Sequence, residues 1–145
     1  APLPRPVLPG PAQSVGPLMD AGPSPVAGAM VSHGVLPILE PDTTQTLPDC
    51  LSKLGADLMV PALADLVKTG SLQSTPQVES LVTYAHKLEK LESAIDWHKS
   101  AAEISRQVRG FNPFPVATAQ FRGETCRIWF ASATSGNANA GEVVG

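Results

Sequence analysis

Aromatic side chains and cysteines are scarce in this sequence: 5% of its 145 residues are aromatic and only two are cysteines. Any hydrophobic core must therefore be built mainly from leucine, valine, isoleucine and alanine. Cys50 and Cys126 stand far apart without the close spacing of a metal site, as is typical of thiols in a reducing cytosol. No apolar run comes near the ~20 residues that a membrane-spanning helix needs. We therefore expect a cytoplasmic protein with no bound metal and no membrane association.

Charge is also scarce at the start of the chain. Residues 1–41 contain only Arg5, Asp20 and Glu40 as charged residues, together with ten of the fifteen prolines. Gly34 and Pro37 interrupt a strand-like run there, so we expect this segment to be loop-like if it stands alone. Because the chain opens at Ala1 in proline-rich sequence, we expect it to be cut from something longer.

The net charge is −4 over residues 1–80 and +1 over residues 81–145, which is only a weak sign of affinity for a polyanion in the second half.

The first strong helical pattern begins at Thr46. Thr46 and Asp49 have the spacing of a capping-box variant, and Gly70 is a natural helix stop. Pro61 lies inside the pattern and should bend the helix. The sequence predicts a helix from about 46 to 69, bent near 60. Its apolar stripe is formed by residues at steps of three and four, namely Leu47, Leu51, Leu54, Leu58, Ala62 and Leu66.

The second half predicts a helix and a hairpin. Ser100 and Glu103 form a capping box that opens a helix, which ends at Asn112-Pro113. Strand-like runs at 117–121 and 125–131 are joined through Arg122-Gly123-Glu124, and a further strand is predicted at 142–144. One hairpin is marginally stable by itself, so we expect low stability or association.

No self-contained catalytic constellation follows from these residues. His33, His86 and His98 have no histidine or cysteine at ligand spacing, and the sequence has no P-loop and no nucleophile elbow. The residues alone therefore predict a protein of α and β elements and do not indicate its function.

Several motifs in a fixed order nevertheless resemble methionyl-tRNA formyltransferases. They are TYAHKL at 83–88, IDW at 95–97, AAEI at 101–104 and RGFNPFP at 109–115. Weaker matches are DT at 42–43, RIW at 127–129 and LPR at 3–5. The resemblance covers nearly the whole chain, is specific in the middle and later part, and is sparse in residues 1–41.

This resemblance implies an α/β fold: the tail of a Rossmann-like formyltransferase domain, followed by an incomplete OB-like β-barrel domain. It implies that residues 1–80 belong to the catalytic domain, 81–92 to a linker and 93–145 to the start of the barrel domain. The implied reaction transfers a formyl group from formyltetrahydrofolate to the amino group of initiator methionyl-tRNA, in an enzyme that is a monomer.

The site residues implied by the resemblance are of two kinds. Leu3 and Pro4 match the family's folate-contacting stretch. OB-like barrels bind nucleic acid through charge and stacking, so the predicted tRNA-binding residues are Arg106, Arg109, Arg122 and Arg127, with Trp129 beside them. The competing interpretation is that Trp129 lies in the core and the arginines are simply solvated.

The catalytic residues of the family are not matched here. Its Asn and His would precede Ala1, and Ser24 stands near the place of its catalytic Asp, where a hydroxyl cannot act as the carboxylate does. The RGFNPFP motif differs from the family's RAFNPWP at Gly110 and Phe114, and these two changes are milder. We therefore expect no catalytic residue in this chain and no activity from it alone.

Two alternatives remain open, of which the first belongs to a different class. One is a non-catalytic RNA-binding remnant that keeps only the barrel-side surface. The other is a sibling formyltransferase that acts on a sugar nucleotide, because the siblings share the catalytic domain.

Overall fold

The computed structural model describes residues 13–20, 28–78, 80 and 86–144. They divide into two compact units. We call the described residues of 13–38 and 48–80 the N-terminal unit, and those of 39–47 and 86–144 the C-terminal unit. Residues 81–85 of the predicted linker lie outside the described residues.

The N-terminal unit contains an antiparallel strand pair and a long helix. Strand β1 (Gln13–Met19) pairs with β2 (Met30–Pro37), with Gly16 opposite Gly34 and an irregularity between Leu18 and Met19. Within the folded chain, residues 13–19 and 30–37 are therefore strands, whereas the loop-like expectation concerned the segment standing alone. Proline is tolerated in both strands because each strand of a two-stranded sheet has one edge without a ladder partner, and β1 and β2 form such a sheet.

Helix α1 (Thr46–Thr69) confirms the predicted helix bounds, with Pro61 inside it and Gly70 at φ +73° after it. Its half-buried leucines lie toward the strand pair, because Gly16 and Gly34 approach the Leu54 side chain closely. The predicted Thr46–Asp49 capping box is wrong. Thr43 caps the helix instead: its Oγ1 accepts from the Thr46 N–H at 3.3 Å, and its own N–H donates to Thr46 Oγ1 at 3.0 Å.

The C-terminal unit contains a short 3₁₀ helix (Lys90–Ser93), helix α2 (Ala101–Gly110) and a hairpin. The predicted capping box is confirmed, since the Glu103 N–H donates to Ser100 Oγ at 3.3 Å and the Ser100 N–H donates to Glu103 Oε2 at 3.0 Å. The buried apolar residues of this unit are Leu47, Val108, Phe111, Val116 and Ala117.

The hairpin pairs β3 (Ala117–Phe121) with β4 (Glu124–Ile128). Arg122 and Gly123 form its two-residue turn with φ of 49° and 84°, as a type I′ turn requires. Strand β4 ends at Ile128, earlier than predicted, because the side chains of Ser105 in α2 and of Asn112, just after α2, bind the carbonyl groups that follow. The predicted strand at 142–144 is also wrong: the Glu142 carboxylate accepts from the Asn139 backbone N–H at 3.0 Å and closes a turn.

Helices and short antiparallel strand pairs together confirm the predicted mixed α/β class. The proposed division into a catalytic tail, a linker and a barrel domain stays a prediction.

Candidate nucleic-acid interface

Two of the four predicted tRNA-binding arginines lie on α2 and are half-buried. Arg109 is engaged within the C-terminal unit: its Nη1 donates to the carbonyl oxygens of Leu39 at 3.1 Å and Asp42 at 3.4 Å. The Nε atoms of Arg106 and Arg109 are buried without a hydrogen-bond partner in the part of the chain that the structure describes. These contacts assign Arg109 to holding residues 39–42 against the end of α2.

The other two arginines lie on the hairpin, and both are exposed. Arg122 is in the turn, with its guanidinium carbon 5.2 Å from the centre of the Phe121 ring, in cation–π range. Arg127 stands opposite Thr118 in the strand register. Exposed guanidinium groups can bind phosphate oxygens with two parallel hydrogen bonds, so this pair is the better candidate for contacts with a phosphate backbone.

The segment after β4 presents two aromatic side chains. Trp129 is 44% exposed and Phe130 is 79% exposed, so the interpretation of Trp129 as a core residue is wrong. Asn112 Nδ2 donates to the Trp129 carbonyl at 3.0 Å, and Ser105 Oγ donates to the Ala131 carbonyl at 2.9 Å. Because both donors are buried, the backbone on each side of Phe130 is fixed.

Sequence reasoning missed Phe130 and Asn112 as site residues. Phe130 lies inside the strand-like run predicted at 125–131, but β4 ends at Ile128, so Phe130 is not part of a strand. Asn112 was visible only as a helix terminator. The FNPFP motif could have indicated its role, since an asparagine between two buried elements needs hydrogen-bond partners.

The electrostatics of the interface include the start of α2. Hydrogen bonds from the Ser100 side chain and backbone lower the pKa of the Glu103 carboxyl group, with smaller contributions from Arg106 and Lys99. Glu103 is therefore ionised near neutral pH and offsets part of the positive charge on α2. Of the four predicted arginines, the two on the hairpin are exposed and the two on α2 are half-buried.

The remaining sequence predictions concern folate, metal ions and the membrane. Leu3 and Pro4, the folate candidates, and Ser24 lie outside the described residues. The described ranges hold no group of three His, Cys, Asp or Glu side chains suited to a metal ion. Nor does any helix within them have the length and apolar character needed to cross a membrane. Cys50 and Cys126 are both free and exposed.

Comparison with known proteins gives concordant results. Residues 87–145 match the family model described as the formyl transferase C-terminal domain. Over 143 residues, 99% of this chain, the sequence is 52% identical to a methionyl-tRNA formyltransferase of Methylobacillus flagellatus and covers 46% of it. A methionyl-tRNA formyltransferase of Dechloromonas aromatica is 44% identical over 99% of this chain, again with 46% of the relative covered. The chain thus spans about half the length of the curated relatives that it matches.

Solved structures with a similar fold include HypX from Aquifex aeolicus, with a TM-score of 0.76 and 19% identity over 98% of this chain and 26% of HypX. Another is WlaRD, a sugar 3N-formyl transferase in the presence of dTDP and 5-N-formyl-THF, with a TM-score of 0.71 and 17% identity over 88% of this chain and 46% of WlaRD. A HypX complex with tetrahydrofolic acid has a TM-score of 0.70 and 18% identity over 85% of this chain and 22% of HypX. At this level of identity the likeness concerns the fold alone.

Proposed function

Since the chain belongs to the formyltransferase family, we propose that it forms part of a methionyl-tRNA formyltransferase. The observation that carries the proposal is 52% identity over 99% of the chain to a protein of that name. The proposed reaction transfers a formyl group from formyltetrahydrofolate to the amino group of initiator methionyl-tRNA in the cytoplasm.

The contribution proposed for the described residues is tRNA binding. Arg122 and Arg127 are exposed on the hairpin, and the partly exposed Trp129 and Phe130 follow it. Guanidinium groups bind phosphates, and aromatic faces stack on bases that are not paired. Arg106 and Arg109 support the interface from α2, and Arg109 does so through its bonds to the 39–42 backbone.

The proposed co-substrate is a reduced folate that carries the formyl group. Structural neighbours are named as complexes with tetrahydrofolic acid or 5-N-formyl-THF, which supports a folate of this class. Leu3 and Pro4 stay the candidates for its contact. In this proposal the described residues bind the tRNA. Groups outside the described residues promote the attack of the amine on the formyl carbon.

A sugar-nucleotide substrate is the competing proposal, because similar folds occur in sugar formyltransferases. Those structures are 17% identical to this chain, whereas the two methionyl-tRNA formyltransferases are 52% and 44% identical. The higher identity favours the tRNA substrate.

A direct competition experiment separates the two proposals. The purified chain is titrated with labelled methionyl-tRNA at two salt concentrations, and its circular dichroism is recorded to verify folding. We expect binding that weakens as salt rises, because phosphate contacts release counterions, and no displacement by a dTDP-linked sugar. Displacement by the dTDP-sugar, or absence of tRNA binding by the folded chain, would overturn the proposal.

A further inference from the structure

A cavity of about 370 Å³ lies beside Phe130 in the C-terminal unit. Its volume falls in the range of small-molecule sites, roughly 300–1,000 Å³. We call it the base pocket and define it by Glu40, Thr43, Ser105, Arg109, Phe130 and Ala131. Its lining combines an aromatic face and apolar surface with a few polar groups, as ligand sites usually do.

We propose that the base pocket binds one unpaired nucleobase of an RNA, stacked on Phe130. The inference rests on the proposed tRNA-binding function and names the part of the RNA that this surface would take up. Phe130 is 79% exposed, so its ring is available for stacking. An aromatic ring can stack on any base, because every base has a π-face.

The walls of the base pocket are held in place before any ligand arrives. Ser105 Oγ binds the Ala131 carbonyl at 2.9 Å, and Asn112 Nδ2 binds the Trp129 carbonyl at 3.0 Å. Both bonds flank Phe130, so the ring stands on a fixed backbone. A fixed aromatic residue loses little conformational entropy on binding, which favours affinity.

Arg109 fixes another part of the lining. Its Nη1 bonds to Leu39 and Asp42 hold the guanidinium group against the 39–42 backbone. Guanidinium planes stack on nucleobases as aromatic rings do. The lining of the base pocket thus includes two residues whose side chains end in flat groups, Phe130 and Arg109.

Glu40 gives the base pocket a preference among bases. It is exposed and lines the cavity, and an ionised carboxylate only accepts hydrogen bonds. Adenine, cytosine and guanine each present an exocyclic amine with two donor hydrogens, whereas uracil presents only its single ring N3–H as donor. The base pocket therefore favours an amino-bearing base over uracil.

The test uses the full 145-residue chain and a short single-stranded RNA that carries one 2-aminopurine, whose fluorescence falls on stacking. Phe130→Ala is expected to weaken binding by about 5- to 100-fold, because the variant cannot form the base–aromatic stack, while Phe130→Trp retains it. Phe114→Ala is the matched control, since Phe114 is 66% exposed and does not line the base pocket; it should bind as the parent chain does.

Base preference is measured by competition. Unlabelled oligocytidylate should displace the probe better than oligouridylate, since both bases are pyrimidines and only cytosine has the exocyclic amine, and Glu40→Ala should remove that difference. Equal competition by both oligomers in the parent chain would contradict the role of Glu40.

The outcomes distinguish this proposal from the one on which it rests. If the parent chain binds tRNA with salt sensitivity and Phe130→Ala binds the probe equally well, the base pocket is overturned and the tRNA function stands. If the folded parent chain binds neither tRNA nor the probe at any salt concentration, both proposals fail.

Discussion

Arg109 donates a hydrogen bond from Nη1 to the carbonyl oxygen of Leu39 at 3.1 Å, across 70 residues of sequence. Thr44 reinforces the same junction, since its Oγ1 donates to the Gly110 carbonyl at 2.7 Å. The end of α2 and the segment before α1 are therefore joined by side chains of both.

Replacement of Arg109 tests whether its role is structural. Arg109→Ala removes charge-assisted bonds and is expected to lower the free energy of unfolding by about 1–3 kcal/mol, measured by urea denaturation. The salt dependence of tRNA binding should stay unchanged, because the guanidinium group serves the protein backbone. A weaker salt dependence in this variant would instead assign Arg109 to a phosphate.

The two glycines Gly34 and Gly55 give a matched pair for packing in the N-terminal unit. A Cβ on Gly34 would lie 2.6 Å from Leu54 Cδ1, whereas a Cβ on Gly55 meets nothing within 4 Å. Gly34→Ala should therefore destabilise the unit by about 1–3 kcal/mol. Gly55→Ala should stabilise α1 by roughly 0.5–1 kcal/mol, because alanine is the better helix former. Equal thermal unfolding midpoints for the two variants would contradict this packing.

The capping box of α2 predicts a pH dependence. Hydrogen bonds from Ser100 lower the pKa of Glu103 below its ordinary value of 4.5, so the folded state binds this proton less readily than the unfolded state does. The contribution to stability is then complete above about pH 4.5 and is lost as the pH falls through the lowered folded pKa. Glu103→Gln should remove this part of the acid sensitivity in thermal melts recorded from neutral to acid pH. An unchanged acid dependence in the variant would refute the assignment.

Formylation by the 145-residue chain alone is expected to be absent. Ser24 stands near the place of the family's catalytic Asp, and a hydroxyl cannot carry that carboxylate's charge near neutral pH. The measurement is transfer of a labelled formyl group from formyltetrahydrofolate to methionyl-tRNA. Turnover by the purified chain would show that other residues supply the chemistry.

Periodicity predicted the parts of the fold that depend on local sequence. Helix α1 has its predicted bounds because its apolar stripe is regular, and the Ser100–Glu103 box is a local signal. Strand β1 was not predicted, because it is stabilised by pairing with β2. A proline-rich sequence gives no sign of that pairing. The end of β4 depends on Asn112 and Ser105 binding the carbonyls beyond it, and such contacts between distant residues leave no periodic trace.

The candidate interface was predicted in part. Residue type and the resemblance predicted the four arginines as site residues. They did not predict that the arginines differ in burial, because the burial of Arg109 depends on its bond to a segment 70 residues away. The exposure of Phe130 depends on where β4 ends, and the alternation of apolar and polar residues does not predict that end.

The salt dependence of methionyl-tRNA binding tests the central claim most directly. Arg122→Ala/Arg127→Ala is compared with Lys53→Ala/Lys68→Ala, a control that removes two exposed basic residues from the N-terminal unit. If the hairpin binds tRNA phosphates, the slope of log affinity against log salt falls in magnitude by about 1.4–1.8 in the hairpin variant, roughly 0.7–0.9 for each arginine–phosphate pair that the variant removes, and is unchanged in the control. Identical slopes in the parent chain and the hairpin variant would contradict the account.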